Sequence, residues 1–250
     1  MYFGRIAGWK SEKFMKETLE RWIHLNMCLI GGFIGGFSVL NHSDLFGSAQ
    51  TANMITIILN ILGRNPFEVV IRIVGLMLYV LGLASTVMIP RIFKANMKVV
   101  SVFVDAVAII AIVLLPENTH PFVALYPVFV AMSIQWCSFP GAEGYTASCI
   151  FSTNNLRQCV TAWTEYACTK KKSARKKAVL YGKVLLSFHV GVAIAYLTCV
   201  EWGIYGAWVC VLPLVTAMIL VHIEEKRGSV WWVRLWLGRK KLCRLYRVFI

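Results

Sequence analysis

The sequence predicts an all-α membrane protein with six transmembrane helices and two re-entrant or broken polar helices, arranged as two inverted three-span repeats. Three observations lead to this prediction. The 250 residues are 58% hydrophobic and only 15% charged, whereas a soluble domain usually carries about 25% charged residues. Almost all basic residues fall in four short regions, and two of the apolar segments contain polar runs. A lipid-facing surface, a defined sidedness and two interrupted helices account for these observations in turn.

Six segments have the apolar character of ordinary spans, and most approach the length of about 20 residues that a spanning helix needs. They are residues 24–40, 68–90, 99–115, 121–138, 178–200 and 204–222. Two further segments, 45–62 and 145–168, are helical in pattern but carry polar residues in their first halves. We therefore predict a single transmembrane domain over residues 24–222.

The two flanking regions are charged and are expected to lie outside the membrane core. Residues 1–23 lack the short apolar core and cleavage site of a secretory signal, and residues 11–22 are expected to form an amphipathic cytoplasmic helix capped by Ser11. The tail, residues 223–250, interleaves Trp and Leu with Arg and Lys. It is expected to lie on anionic lipid headgroups. A net charge of +14 also suits nucleic-acid binding, but we expect none, because the charge sits where topology requires it.

The basic residues decide how many segments cross the membrane. All but four (Arg64, Arg72, Arg157 and Lys183) of the 26 Lys and Arg lie before residue 24, in 91–98, in 170–177 or after residue 223. Short basic loops stay on the cytoplasmic side, so all four regions should share one side. This holds only if 45–62 and 145–168 each return to the side they entered from. Both termini are then cytoplasmic, and the acidic turns at Asp44, Glu117 and Glu201 lie outside.

A weak internal repeat accompanies this topology. FSVLNHSDLFGSAQTANM and FPGAEGYTASCIFSTNNL each contain a T-x-N sequence, the first T-x-N element (Thr51-Ala52-Asn53) and the second T-x-N element (Thr153-Asn154-Asn155). In both halves, a span, a Gly- or Ser-containing break and the T-x-N element come in the same order. The repeats run over about 24–115 and 121–222. Since each has three spans, they must be inverted, an arrangement common in transporters.

The two T-x-N elements are the candidate site. Helices that start inside the bilayer expose N–H groups, which Ser, Thr and Asn can satisfy, and their positive ends favour an anion or polar solute. Arg157 and Gln135 are candidates to assist. The predicted substrate-binding residues are Gln50, Thr51, Asn53, Gln135, Ser152, Thr153, Asn154, Asn155 and Arg157. The alternative is that these residues only pair helices, as interhelical Asn often does.

Other residues carry weaker signals. Asp105 falls within a predicted span and needs either a partner or a proton. Arg72 and Lys183 lie near span ends, where long basic side chains usually extend towards the headgroups. The glycines of IGGFIGGF, Gly31, Gly32, Gly35 and Gly36, allow close approach of another helix, within the monomer or in a homo-oligomer. The eight Cys form no C-x-x-C pair and the five His no metal-binding spacing, so we expect no metal and no cofactor.

The stretches GSAQTANMITIILNIL and MSIQWCSFPGAEGYTASCIFSTNNLRQ resemble the YoaK-like family of bacterial integral membrane proteins. The resemblance covers residues 24–222. In that family the first element usually reads T-G-N, from which Thr51-Ala52-Asn53 departs, and the second reads T-G-N or T-N-N, which Thr153-Asn154-Asn155 follows. The resemblance implies a multi-pass protein of the bacterial inner membrane and implies no substrate.

Taken together, these features favour a transporter or channel for a small polar or anionic solute. A membrane scaffold or accessory subunit, whose polar elements serve only assembly, is the alternative from another class. A membrane-embedded enzyme ranks third, because the sequence offers no nucleophile–base pair or metal cluster, and we expect the protein not to be an enzyme.

Overall fold

The computed structural model describes residues 2–41, 45, 47, 48, 50–116 and 118–227, with side chains from residue 12 onward. The helices in this part of the chain are α1 (Tyr2–Asn41), α2 (Gln50–Leu62), α3 (Pro66–Phe93), α4 (Met97–Leu114), α5 (Pro121–Ala124), α6 (Tyr126–Ser138), α7 (Thr153–Thr169), α8 (Lys172–Trp202) and α9 (211–227). A two-stranded hairpin of β1 (Gly141–Ala142) and β2 (Tyr145–Thr146) precedes α7, and a 3-10 helix (Gly203–Cys210) joins α8 to α9.

Among the described residues, four helical stretches are long and apolar enough to cross a membrane: Glu12–Asn41, Pro66–Phe93, Met97–Leu114 and Lys172–Arg227. Many large apolar side chains on α3, α4 and α8 are exposed, as expected where the surrounding medium is lipid. The predicted all-α fold and multi-pass membrane character are thus confirmed. The predicted tail helix beyond residue 227 lies outside the described residues.

Local chemistry explains where the membrane helices begin and end. Asn65 caps α3, its side chain accepting a hydrogen bond of 3.4 Å from the Glu68 N–H, and Pro66 occupies the first helical position, where its missing N–H costs nothing. Lys94 closes α3 in the left-handed conformation, at φ 52°. Asn96 then caps α4 through a hydrogen bond of 3.0 Å from the Lys98 N–H.

Residues 172–227 form two antiparallel helices, α8 and α9, rather than one continuous straight helix. At the end of α8, the Asn41 side chain donates to Cys199 Sγ at 3.3 Å, whereas early in α9 Pro213 accepts a hydrogen bond of 2.8 Å from Asn26. Moving along the chain from α8 to α9 therefore means moving back along α1. The reversal occurs at Gly203, whose positive φ of 56° suits a residue without a Cβ.

Three ion pairs gather the basic regions at one end of the bundle, here called the basic end. Arg21 of α1 pairs with Glu143 of the hairpin. Lys98 at the start of α4 lies 2.7 Å from Glu224 in α9, and Lys176 near the start of α8 lies 3.6 Å from Glu17 of α1. The described parts of the basic regions thus lie at the same end of the bundle, and their common side of a membrane stays a prediction.

Helices α2 and α7 each form an antiparallel hairpin with the helix that follows. Arg72 of α3 donates to Asn53 of α2, which places α2 beside the first turns of α3. The Cys159 thiol of α7 donates to the Ala178 carbonyl of α8 at 3.7 Å. The α2 hairpin lies at the end away from the basic end, since Glu68 of α3 contacts His120, which follows α4. The α7 hairpin lies at the basic end.

Glycines let α1 pack directly on α8 and α3 pack directly on α6. A Cβ on Gly32 of α1 would lie 1.9 Å from the Phe188 carbonyl oxygen of α8, and one on Gly191 would lie 2.1 Å from the Leu29 carbonyl oxygen. In the same way, a Cβ on Gly82 of α3 would lie 1.9 Å from a side-chain oxygen of α6. Close packing by the α1 glycines is confirmed within the chain.

Two local features differ from the sequence-based expectation. The helix expected over residues 11–22 is part of the continuous α1, so Ser11 lies inside a helix rather than at its start. The hairpin was not predicted: Glu143 and Gly144 at its tip both have positive φ, 55° and 81°. Positive φ at both central positions is the requirement of a type I′ turn.

Candidate functional site

A buried carboxyl group lies in the middle of the bundle. Asp105 of α4 is fully buried, and neither carboxylate oxygen has a hydrogen-bond partner among the described residues. Ser101, one turn earlier on the same face, is also fully buried and its hydroxyl is likewise without a partner there. An unpaired ionised carboxylate in such surroundings costs several kcal/mol. The site therefore calls for a proton or a cation on Asp105.

Gln135 of α6 adds an amide to the same region. Its Nε2 donates a hydrogen bond of 2.9 Å to the Met27 carbonyl of α1, while its Oε1 has no partner among the described residues. Cys149 donates to the Gln135 backbone carbonyl at 3.8 Å. We call Ser101, Asp105 and Gln135 the central polar cluster. These three side chains each have an oxygen without a partner among the described residues, they lie on two helices that pack against each other, α4 and α6, and two of them were not among the predicted binding set.

Within the first T-x-N element only Asn53 faces inward, and Gln50, the residue that precedes the element, does so as well. Both side chains are buried, whereas Thr51 is exposed. Asn53 donates to Gln50 Oε1 at 3.2 Å and accepts a hydrogen bond of 3.3 Å from Arg72. The Gln50 Nε2 group has no partner among the described residues. The Asn53 amide is thus anchored, whereas the Gln50 amide retains donors without a partner among the described residues.

An ionic network holds this element against α3 and α5. Arg72 lies 3.0 Å from Glu68 and its guanidinium carbon lies 4.5 Å from the Phe122 ring centroid. Glu68 also contacts His120 at 3.2 Å. The expectation that Arg72 simply extends towards the headgroups is wrong, since its charge is used inside the protein. The i, i+4 spacing of Glu68 and Arg72 was the available sequence signal for the pair.

The second T-x-N element has a different arrangement. Asn155 donates to the Ser148 and Phe151 carbonyls at 2.7 and 2.8 Å and accepts from the Ser148 N–H at 3.1 Å. Its amide therefore satisfies the backbone of the turn before α7, the role expected of Asn at a helix start. Ser152 makes no capping bond, and its hydroxyl has no partner in the described part of the chain.

The remaining predicted residues of this element lie on the surface. Thr153, Asn154 and Arg157 are exposed, and Arg157 donates to Asn154 at 2.8 Å. No hydrogen bond between described residues joins the two T-x-N elements. Gln135 and Asp105 therefore lie on neighbouring helices, α6 and α4, whereas Gln50 and Asn53 lie on the opposite hairpin from Asn155.

A further buried polar group lies nearer the basic end, and the sequence analysis did not identify it. His24 of α1 is buried and neither ring nitrogen has a partner among the described residues. It lines a cavity of about 100 Å³ together with Glu20 and Lys98. Within the described residues, no group of three or more His, Cys, Asp or Glu is placed to hold a metal ion.

Comparison with known proteins gives a family but no activity. Residues 23–220 match the model of a family described as "Protein of unknown function (DUF1275)". No curated protein and no solved structure matches the chain. The match covers the predicted transmembrane domain.

Proposed function

Because the chain belongs to the DUF1275 family, whose function is unknown, we propose from the geometry that it is a transporter for a small polar or charged solute. The observation that carries this proposal is Asp105: a carboxyl group fully buried halfway along a membrane helix, with no described partner. Ionisable residues within membrane segments usually mark substrate, ion or proton pathways. A scaffold gains nothing from an unpaired acid at its centre.

The path of the chain supports two inverted halves with three spans each. We assign the spans to α1, α3 and α4 in the first half and to α5–α6, α8 and α9 in the second, with α2 and α7 re-entrant. The two re-entrant helices lie at opposite ends, and α1 packs on α8 as α6 packs on α3. Such inverted repeats with half-length helices are typical of transporters, in which the repeats rock against each other around a central site.

Within this frame, the central polar cluster is the site at which solute and coupling ion meet. Asp105 takes up the proton or cation, and Gln135 offers its free amide oxygen. Gln50 and Asn53 line the approach from the α2 end. Asn155 positions the turn before α7, and this turn forms the approach from the basic end. The other residues of this approach are Ser152, Thr153, Asn154 and Arg157.

The location follows from the same frame. We propose the bacterial inner membrane, with the basic end and both termini in the cytoplasm, because short basic loops are retained on that side. The Glu201 turn then faces outward.

Flux measurements in proteoliposomes test the proposal. The full chain is incorporated into liposomes that contain a pH-sensitive dye, and a membrane potential is applied. A panel of inorganic ions, amino acids, carboxylates and polyols is then added. We expect at least one solute to change the lumenal pH faster than in empty liposomes. Asp105→Asn should lower that rate at least about tenfold, equivalent to about 1.4 kcal/mol in the barrier, because the amide cannot carry the proton or balance a cation.

The matched control is Glu201→Gln, which makes the same chemical change at an exposed acid and should leave the flux unaltered. Both variants are first compared with the wild type by thermal unfolding. Wild-type liposomes that behave as empty ones with the whole panel, or an unchanged flux in Asp105→Asn, would contradict the proposal.

One observation favours the scaffold as second candidate. Asn155, the counterpart of Asn53, uses its side-chain amide on the backbone of its own turn, as expected of a structural residue. If the protein is a scaffold, Asp105→Asn should stabilise it, because the substitution replaces a buried acid with a neutral amide. No solute should then cross the membrane of the liposomes.

A further inference from the structure

A cleft at the basic end lies apart from the central polar cluster. Its volume is about 400 Å³, and it opens between α1, the hairpin tip and the first turns of α8. Its charged lining consists of five basic side chains and one carboxylate: Arg21, Lys172, Arg175, Lys176, Lys183 and Glu143. The proposed transport path does not use these groups.

The single carboxylate does not neutralise the cleft. Glu143 is held by Arg21 at 2.5 Å and by Lys176 at 3.2 Å, which account for its charge. Lys172, Arg175 and Lys183 form no ion pair with any residue that the structure describes. Several positive charges that share one concave surface repel one another, and a bound anion removes that repulsion.

The position of Lys183 indicates the orientation of an anion bound in this cleft. Arg175, Val179 and Lys183 follow one another at intervals of four residues along one face of α8. Lys183 lies about 10 Å further along the axis than Lys176, at about 1.5 Å per residue. Beyond it, the same face continues with Leu186, which is 66% exposed. The cleft therefore leads from charged groups at the end of the bundle onto an apolar, lipid-facing surface.

We propose that this cleft binds a phosphate group, and that the phosphate is the headgroup of an anionic phospholipid whose acyl chains lie along α8. Arginine beside lysines suits phosphate, because the guanidinium binds its oxygens in pairs. Basic pockets between transmembrane helices on the cytoplasmic side are typical headgroup sites. A soluble phosphate ester shares the headgroup chemistry but does not use the apolar face beyond Lys183.

Thermal unfolding of the full chain in a neutral detergent tests this assignment. The additions are phosphatidylglycerol, phosphatidylcholine and inorganic phosphate. We expect phosphatidylglycerol to raise the melting temperature by several degrees more than phosphatidylcholine does, because a ligand that binds only the folded state stabilises it. The variant Arg175→Gln/Lys183→Gln should lose most of this difference and melt as the wild type does in phosphatidylcholine.

The control variant Arg91→Gln/Lys94→Gln removes the same number of charges from exposed positions of another basic loop and should keep the full difference. An equal lipid effect in the cleft variant, or the absence of an effect from both the anionic lipid and phosphate, overturns the site. A rise with inorganic phosphate alone, lost in the cleft variant, keeps the phosphate site and overturns the lipid source. None of these results depends on transport.

Discussion

Arg72 of α3 donates a hydrogen bond of 3.3 Å to the side-chain oxygen of Asn53 in α2. The bond ties the short helix to the long one at the depth where α2 begins. Through Glu68 the same network reaches His120, at the start of α5. Asn53, the polar residue of the first T-x-N element, is thus held in place by Arg72 inside the protein.

Replacing Arg72 should loosen α2. In Arg72→Gln, the Asn53 oxygen is left buried without its donor and Glu68 loses its partner, which costs about 1 to 3 kcal/mol of stability. Hydrogen–deuterium exchange of residues 50–62 should become faster, while exchange in α4 should stay as in the wild type. Arg91→Gln, at the exposed far end of the same helix, is the control. Unchanged exchange in α2 would show that the bond does not hold it.

The contact between α1 and α8 gives a prediction about packing. In Gly191→Ala, the new methyl group would meet the Leu29 carbonyl oxygen at 2.1 Å, so the helices must separate, at a cost of about 1 to 3 kcal/mol. Gly182→Ala lies on the same helix, and the nearest atom outside its own helix turn would be Cys159 Sγ at 4.0 Å. It should be neutral or stabilising, because Ala is the better helix former. Equal melting temperatures of the two variants would contradict this packing.

The hairpin ion pair predicts a pH dependence. Burial alone would raise the pKa of Glu143, but the hydrogen bonds and charges of Arg21 and Lys176 outweigh it and hold that pKa below its ordinary value of 4.5. The carboxylate therefore stabilises the folded state above pH 4.5, and this contribution is lost as the pH falls through the lowered pKa.

Glu143→Gln should accordingly cost about 1 to 3 kcal/mol at neutral pH, and the difference from the wild type should shrink as the pH falls below 4.5. Chemical unfolding in detergent at a series of pH values measures it. Glu165→Gln, which alters an exposed acid of α7, should show no such difference. A gap between Glu143→Gln and wild type that widens in acid would refute the assignment.

The helices and the clustering of the basic regions at one end of the bundle were predictable because they depend on local features. Apolar runs define the helices, and the basic loops between them define the sidedness. The starts of α2 at Gln50 and of α7 at Thr153 also lie where the polar runs predicted them. These features need no knowledge of distant parts of the chain.

The polar contacts inside the bundle were not predictable in the same way. Arg21 meets Glu143 across 122 positions and Asn26 meets Pro213 across 187, and no periodicity reports such pairs. The unequal roles of Asn53 and Asn155 depend on Arg72, because the matching position of the second half is occupied by Ala174. The hairpin did leave a signal, the Glu143-Gly144 pair at its tip, which suits a type I′ turn.

Labelling from the two sides of the membrane tests the inverted arrangement most directly. Thr51→Cys and Thr153→Cys place a thiol at exposed positions of the two T-x-N elements, in a background whose native cysteines are replaced by Ala or Ser. Each variant, in oriented vesicles, is treated with a membrane-impermeant maleimide from one side at a time. We predict that position 51 reacts only from outside and position 153 only from inside. Reaction of both positions from the same side would contradict the two inverted halves and, with them, the proposed transport path.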